Sequence, residues 1–136
     1  MFSETRFVPA IGRLLLAVIF LMSGVGKIAA PAATAGYIAS AGLPAPYLGL
    51  IAAILVEVGG GLLLLVGYQT RLASIALAVF TVAAALAFHN NFADQNQMIH
   101  FLKNLAIAGG LLQVAAFGAG SFSLDARRGA SASVRA

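Results

Sequence analysis

Seven side chains of this 136-residue sequence carry the chemistry it could do: Glu57, Lys27, Lys103, His89, His100, Asn104 and Gln113. The first of these is the most telling. Glu57 sits in ILVEVGGGLLLL, residues 54–65, a stretch that is otherwise hydrocarbon and glycine. An ionised side chain at the centre of a bilayer costs about 2.5–3.5 kcal/mol on insertion scales, so it needs a cation, a proton or a ligand. Two readings follow. In one, Glu57 pairs with Lys27 or Lys103, or stays protonated, and fixes helix register. In the other, Glu57 and the lysines line a cavity that handles protons or holds a polar head group such as a quinone ring. Spacing places them on interior faces. Gly49, Ala53, Glu57 and Gly61 recur every four residues, and Arg13, Ala17, Phe20, Gly24 and Lys27 form a second stripe. Lys103, Ala106, Gly110, Gln113 and Phe117 form a third, with Asn104 beside Lys103.

Several chemistries are excluded or weakened. The chain has no cysteine, which removes disulfides, iron–sulfur clusters, thiolate zinc sites and redox-active thiols. His89 and His100 are two imidazoles at neighbouring helix ends, but they lack the carboxylate or thiolate cluster a metal or haem site needs, and no metal is expected. Gly59–Gly61 has no following Lys-Ser/Thr and reads as close helix packing rather than a phosphate loop. No nucleophile–base–acid order stands out. Arg13 and Arg71 fall near one membrane face, where they are expected to anchor to lipid phosphate. The amide-rich loop FHNNFADQNQMIHF, residues 88–101, is either solvated or a docking point for a partner.

These residues must be held by elements suited to lipid. Hydrophobic residues make up 61% of the chain and charged residues 9%, far below the roughly 25% charged of an ordinary globular protein. Four apolar segments, about 10–30, 47–66, 72–89 and 99–118, are long enough to cross a hydrocarbon core, which needs about 20 residues. The expected fold is an all-α integral membrane protein: four transmembrane helices in a bundle, forming one domain over 1–125. Pro31 opens and Gly42 closes a short helix over about 31–41, lying at the interface or tucked against the bundle. Residues 126–136 read as a polar, disordered tail. Glu57 falls about 15 Å below Tyr47 at 1.5 Å per residue, near the midplane. If both termini are cytoplasmic, that side holds Arg6, Arg13, Arg71, Arg127, Arg128 and Arg135, against Lys27 and Lys103 opposite. A cleaved signal peptide over 1–34 is the weaker reading, because Lys27 and Pro31 interrupt its cleavage region. The net charge of +4 sits at span ends and not on one aromatic-laced face, so no nucleic-acid partner is expected.

The same residues resemble the DoxX family of small bacterial membrane proteins. RLLLAVIFLMSGVGKI supplies Arg13, Phe20, Ser23, Gly24 and Lys27, and Gly42, Leu43 and Pro44 follow. The second span supplies Glu57, Gly59, Gly60, Leu64, Gly67, Thr70 and Arg71. The fourth supplies Lys103, Asn104, Gly109, Gly110, Gly118, Gly120 and Ser123 to Asp125. The resemblance implies a multi-pass inner-membrane protein, and the excess of Arg on one side favours both termini cytoplasmic. It also implies a redox-linked or quinone-associated role, as a subunit of a quinone-linked oxidoreductase rather than a complete enzyme. The family brings no agreed catalytic set. A bound quinone would be borrowed rather than built in. The alternatives are a non-catalytic anchor or scaffold for a partner enzyme, a homo-oligomer among its possible forms, and a small-solute carrier.

Overall fold

A computed structural model describes residues 5–135, with side chains up to 129. The described residues form helices and no strand. Span one is α1, Val8–Ala29, followed at once by the short helix α2, Pro31–Ser40. Span two is α3, Pro46–Val66, interrupted by a π-helical turn over Leu55–Gly59. Spans three and four are α4, Thr70–Phe88, and α5, Gln95–Phe117. A last helix, α6, Leu124–Arg135, runs through the segment expected to be a disordered tail. Four of these helices are long and apolar enough to cross a membrane.

Local chemistry explains the boundaries. Proline opens α1, α2 and α3 in the first turn, where its missing N–H costs nothing. Asp94 caps α5 by accepting from Asn96 N at 2.9 Å. Gly67 ends α3 at φ +70°, a conformation that disfavours any residue with a Cβ.

The helices meet through small residues. A Cβ on Gly24 of α1 would lie 2.5 Å from Val58 Cγ2 of α3, and one on Gly60 would lie 2.9 Å from Leu77 of α4. Hydrocarbon lipid provides no hydrophobic drive between helices, so this close backbone approach and its dispersion contacts hold the bundle. The core is Ala17, Phe20, Leu64, Leu77, Ala78, Ala108 and Leu111. Large apolar side chains point the other way, among them Leu15, Met22, Leu55, Leu72 and Val79, and form the lipid-facing surface.

At the end of the bundle that holds residues 7, 67–70 and 118–125, Arg13 departs from expectation. It is 2% exposed and does not reach lipid phosphate. Its guanidinium donates to Leu64 O at 2.9 Å, Leu65 O at 3.0 Å and Ala119 O at 2.9 Å, and also to Phe122 O. Carbonyls at the end of α3 have no intrahelical donor, and Arg13 supplies it from a neighbouring helix. Asp125 completes this end. It accepts from Gln69 N and Thr70 N, both at 2.9 Å, and so caps α4 across 55 residues of sequence. Arg71 is exposed, with its guanidinium laid over Gly118, where a Cβ would sit 3.3 Å from Nη2.

Candidate functional site

The π turn presents Glu57. An α-helix advances about 100° per residue, so a stripe of every fourth residue drifts around the axis. A turn with i→i+5 hydrogen bonds fits more residues per turn and cancels part of that drift. Ala53, Glu57 and Gly61 all remain buried as a result. Glu57 is 2% exposed, and its Oε1 lies 2.7 Å from Lys27 Nζ. The contact is an ion pair by distance, outside hydrogen-bond angles at Oε1. Lys27, 23% exposed in its side chain, also donates to Ser23 Oγ at 2.8 Å, one turn back on α1.

The pair opens into a cavity of about 870 Å³. Its walls are Ile19 and Phe20 of α1, Gly49 and Ala53 of α3, Phe80, Ala84 and Phe88 of α4, and Ile107 of α5. The polar groups on it are few: Lys27, Glu57, Ser23, Thr34, Tyr37, Thr81, His89 and Asn104. Apolar walls with a few convergent polar groups, at a volume between about 300 and 1,000 Å³, describe a small-molecule site.

Helix lengths explain why the space exists. Gly24 packs on Val58, and α1 ends five residues later, about 8 Å on. From the same level α3 extends twelve residues, about 18 Å, to Pro46. The short helix α2 fills the step left by α1. Its Ala35 and Ile38 are buried, and Ile38 meets Gly49, so α2 is tucked into the bundle as a wall of the cavity. Tyr37 stacks on Phe88 at 5.0 Å and ties α2 to α4.

The structure brings some of the sequence candidates together and separates others. Glu57, Lys27, Asn104 and His89 share the cavity. Asn104 is half-buried and donates from Nδ2 to Thr81 O at 3.2 Å. His89 caps α4 and stacks on His100 at 5.2 Å. Burial and then the nearby His100 charge hold the His89 imidazole below its ordinary pKa. His100 is exposed and does not line the cavity. Lys103 and Gln113 are exposed as well, so the expected interior stripe of α5 is corrected. The face that packs inward carries Asn104, Ile107, Ala108, Leu111 and Val114, about 100° around from the Lys103 stripe. Lys103 and Gln113 head the next row and point away. Among the described residues, no group of three His, Asp or Glu side chains could hold a metal ion.

Ser23, Thr34, Tyr37 and Thr81 were missed as site residues. Span three reads as apolar throughout its length, yet Thr70, Ser74 and Thr81 are buried on one side with Leu77 and Ala78. Their spacing of four and seven was a signal in the sequence for that face.

The DoxX family profile matches residues 8–90. The chain belongs to the DoxX family. That match spans α1 to α4 and holds every named cavity residue except Asn104 and Ile107. Inner membrane protein YqjF of Escherichia coli K12 is 41% identical over 115 residues, covering 85% of this chain and 87% of that protein. Inner membrane protein YphA of the same organism is 34% identical over 122 residues, covering 86% and 87%. No solved structure matches. A DoxX member with four membrane-crossing helices has the lipid bilayer as its surroundings.

Proposed function

We propose that this DoxX protein resides in the bacterial inner membrane and binds an apolar molecule with a polar head, of which a quinone is the best-fitting class. Its role is that of a redox-linked membrane subunit working with a partner oxidoreductase. One observation carries the reading: the buried Glu57, paired with the part-exposed Lys27, faces a mainly apolar cavity of about 870 Å³. A pair needed only for helix register would be packed over on all sides, because a void beside it forfeits contacts. Lys27 Nζ, Ser23 Oγ and the Asn104 carboxamide stand where a carbonyl or hydroxyl head could be hydrogen-bonded. Glu57 and Lys27 are groups able to take and return protons, which quinone chemistry moves. The chain has no cysteine to carry electrons itself, so the redox step would lie in the partner. The two Escherichia coli relatives, both inner membrane proteins by name, support the location.

The test is mass spectrometry of lipophilic molecules retained after mild extraction, with wild type and Glu57→Gln in parallel. The expected result is a quinone enriched over bulk lipid in the wild type and lost in the variant. Bulk phospholipid alone in both would return the pair to a structural role. The scaffold reading has no comparable observation. The loop between α4 and α5 is occupied with itself: Asn91 N donates to Gln97 Oε1, and Phe92 packs on Phe101.

A further inference from the structure

We propose that the cavity captures apolar aldehydes or ketones covalently, as a Schiff base on Lys27 Nζ, with Glu57 as the proton shuttle and then the counter-ion. The proposal rests on the ligand-binding reading above and adds a reaction to it.

Three observations converge on Lys27. It is the one lysine on the cavity wall, the chain's other lysine, Lys103, being exposed away from it. Its Nζ lies 2.7 Å from a carboxylate that is itself buried, and 2.8 Å from the Ser23 hydroxyl. The cavity beyond the pair is walled mainly by apolar side chains such as Ile19, Phe20, Ala84 and Phe88. A lysine amine in an apolar pocket is a nucleophile toward carbonyl carbon once it has a base to take its proton. The carboxylate at contact distance is that base.

The step balances without any further reactant. The Lys27 ammonium passes one proton to Glu57, which frees the nitrogen lone pair. That pair forms the N–C bond, and the carbonyl π electrons move to oxygen. A proton then moves from nitrogen to that oxygen, with Ser23 Oγ placed to relay it, and gives the carbinolamine. The Glu57 carboxylic acid protonates the hydroxyl. Water leaves with the C–O electrons as the N=C bond forms. The product is a protonated Schiff base beside the Glu57 carboxylate, and nothing has been oxidised or reduced. The adjacent carboxylate offsets its charge.

The test uses the full chain in mild detergent with decanal as the probe and sodium cyanoborohydride to fix any imine. Peptide mass spectrometry then compares Lys27 with Lys103 within the same molecule, so no variant has to fold. The expected result is a reduced decyl adduct at Lys27 that forms ahead of any at Lys103. Glu57→Gln is expected to slow it on the order of a hundredfold with Lys103 labelling unchanged, the scale of a lost general acid–base. Labelling of Lys103 equal to or ahead of Lys27 overturns the proposal. If Lys27 stays unmodified while the wild type still retains a lipophile, the covalent step falls and the binding reading stands. Absence of both adduct and retained lipophile overturns both.

Discussion

Glu57 and Lys27 carry opposite charges where the surrounding solvent is hydrocarbon. Removing either leaves the remaining charge without compensation. Losing one partner of a buried pair costs about 3–5 kcal/mol, whereas replacing both with apolar residues is often neutral. Lys27 is a quarter exposed, so the lower end of that range applies. Glu57→Leu alone and Lys27→Met alone should each lower the unfolding midpoint in detergent. The double variant should recover most of the loss while retaining no lipophile. A double variant as unstable as the singles would mean that the pair organises more than its own charges. This pairing was open in the sequence, because stripe geometry admitted Lys27 and Lys103 alike. The choice between them was set by helix rotation, and one residue of offset turned Lys103 away from the bundle interior. Arg13 was illegible for another reason. Its partners are backbone carbonyls of Leu64, Leu65, Ala119 and Phe122, which leave no mark in side-chain pattern.

At the scale of elements, apolar length was the readable quantity. The expected spans of 10–30, 47–66, 72–89 and 99–118 correspond to Val8–Ala29, Pro46–Val66, Thr70–Phe88 and Gln95–Phe117. The π turn was not readable, since no composition marks a change from i→i+4 to i→i+5 bonding. What holds α1 against α3 at that turn can be tested at Gly24. Alanine there would put its Cβ 2.5 Å from Val58 Cγ2, with the next atoms at 3.4 Å. Overpacking of this kind costs about 1–3 kcal/mol. Gly24→Ala should therefore lower the unfolding midpoint, and adding Val58→Ala should restore it, because that change removes the colliding methyl. A double variant no better than Gly24→Ala would place the strain in the backbone instead. The cap of α4 gives a second test. Burial raises the Asp125 pKa, but hydrogen bonds from Thr70 and Gln69 and the charge of Arg128 outweigh it, and the carboxyl titrates below its ordinary value. A depressed folded pKa means stability that is present above the unfolded value of 3.8 and is lost as pH falls through the folded one. Asp125→Ala should cost about 1 kcal/mol at neutral pH, and Asp125→Asn less, since its amide oxygen still caps. The gap between wild type and Asp125→Ala should close in acid, and a gap constant with pH would deny the carboxylate its role.

For the whole molecule, the open quantity is which way the bundle faces. Exposed cations bear on this, since a guanidinium buried and consumed by carbonyls, like that of Arg13, is not available to the membrane surface. Lys27 is likewise consumed by Glu57. Among described side chains, the exposed basic residues are then Arg6, Arg71, Arg127 and Arg128 at the end that holds residues 118–125, and Lys103 toward the other. Four against one keeps the orientation that the plain count of Lys and Arg favours, with both termini cytoplasmic. It would put the step between α1 and α3, and with it the His89 end of the cavity, on the periplasmic side. The chain contains no cysteine, so single thiols can be introduced against a blank background. Asn91→Cys, in the loop between α4 and α5, should react with a membrane-impermeant maleimide on intact cells with the outer membrane opened. Ser121→Cys should react only after the inner membrane is lysed. Both residues are exposed, so a failure to label would not come from burial. The reverse pattern would invert the bundle and place the His89 end of the cavity on the cytoplasmic side.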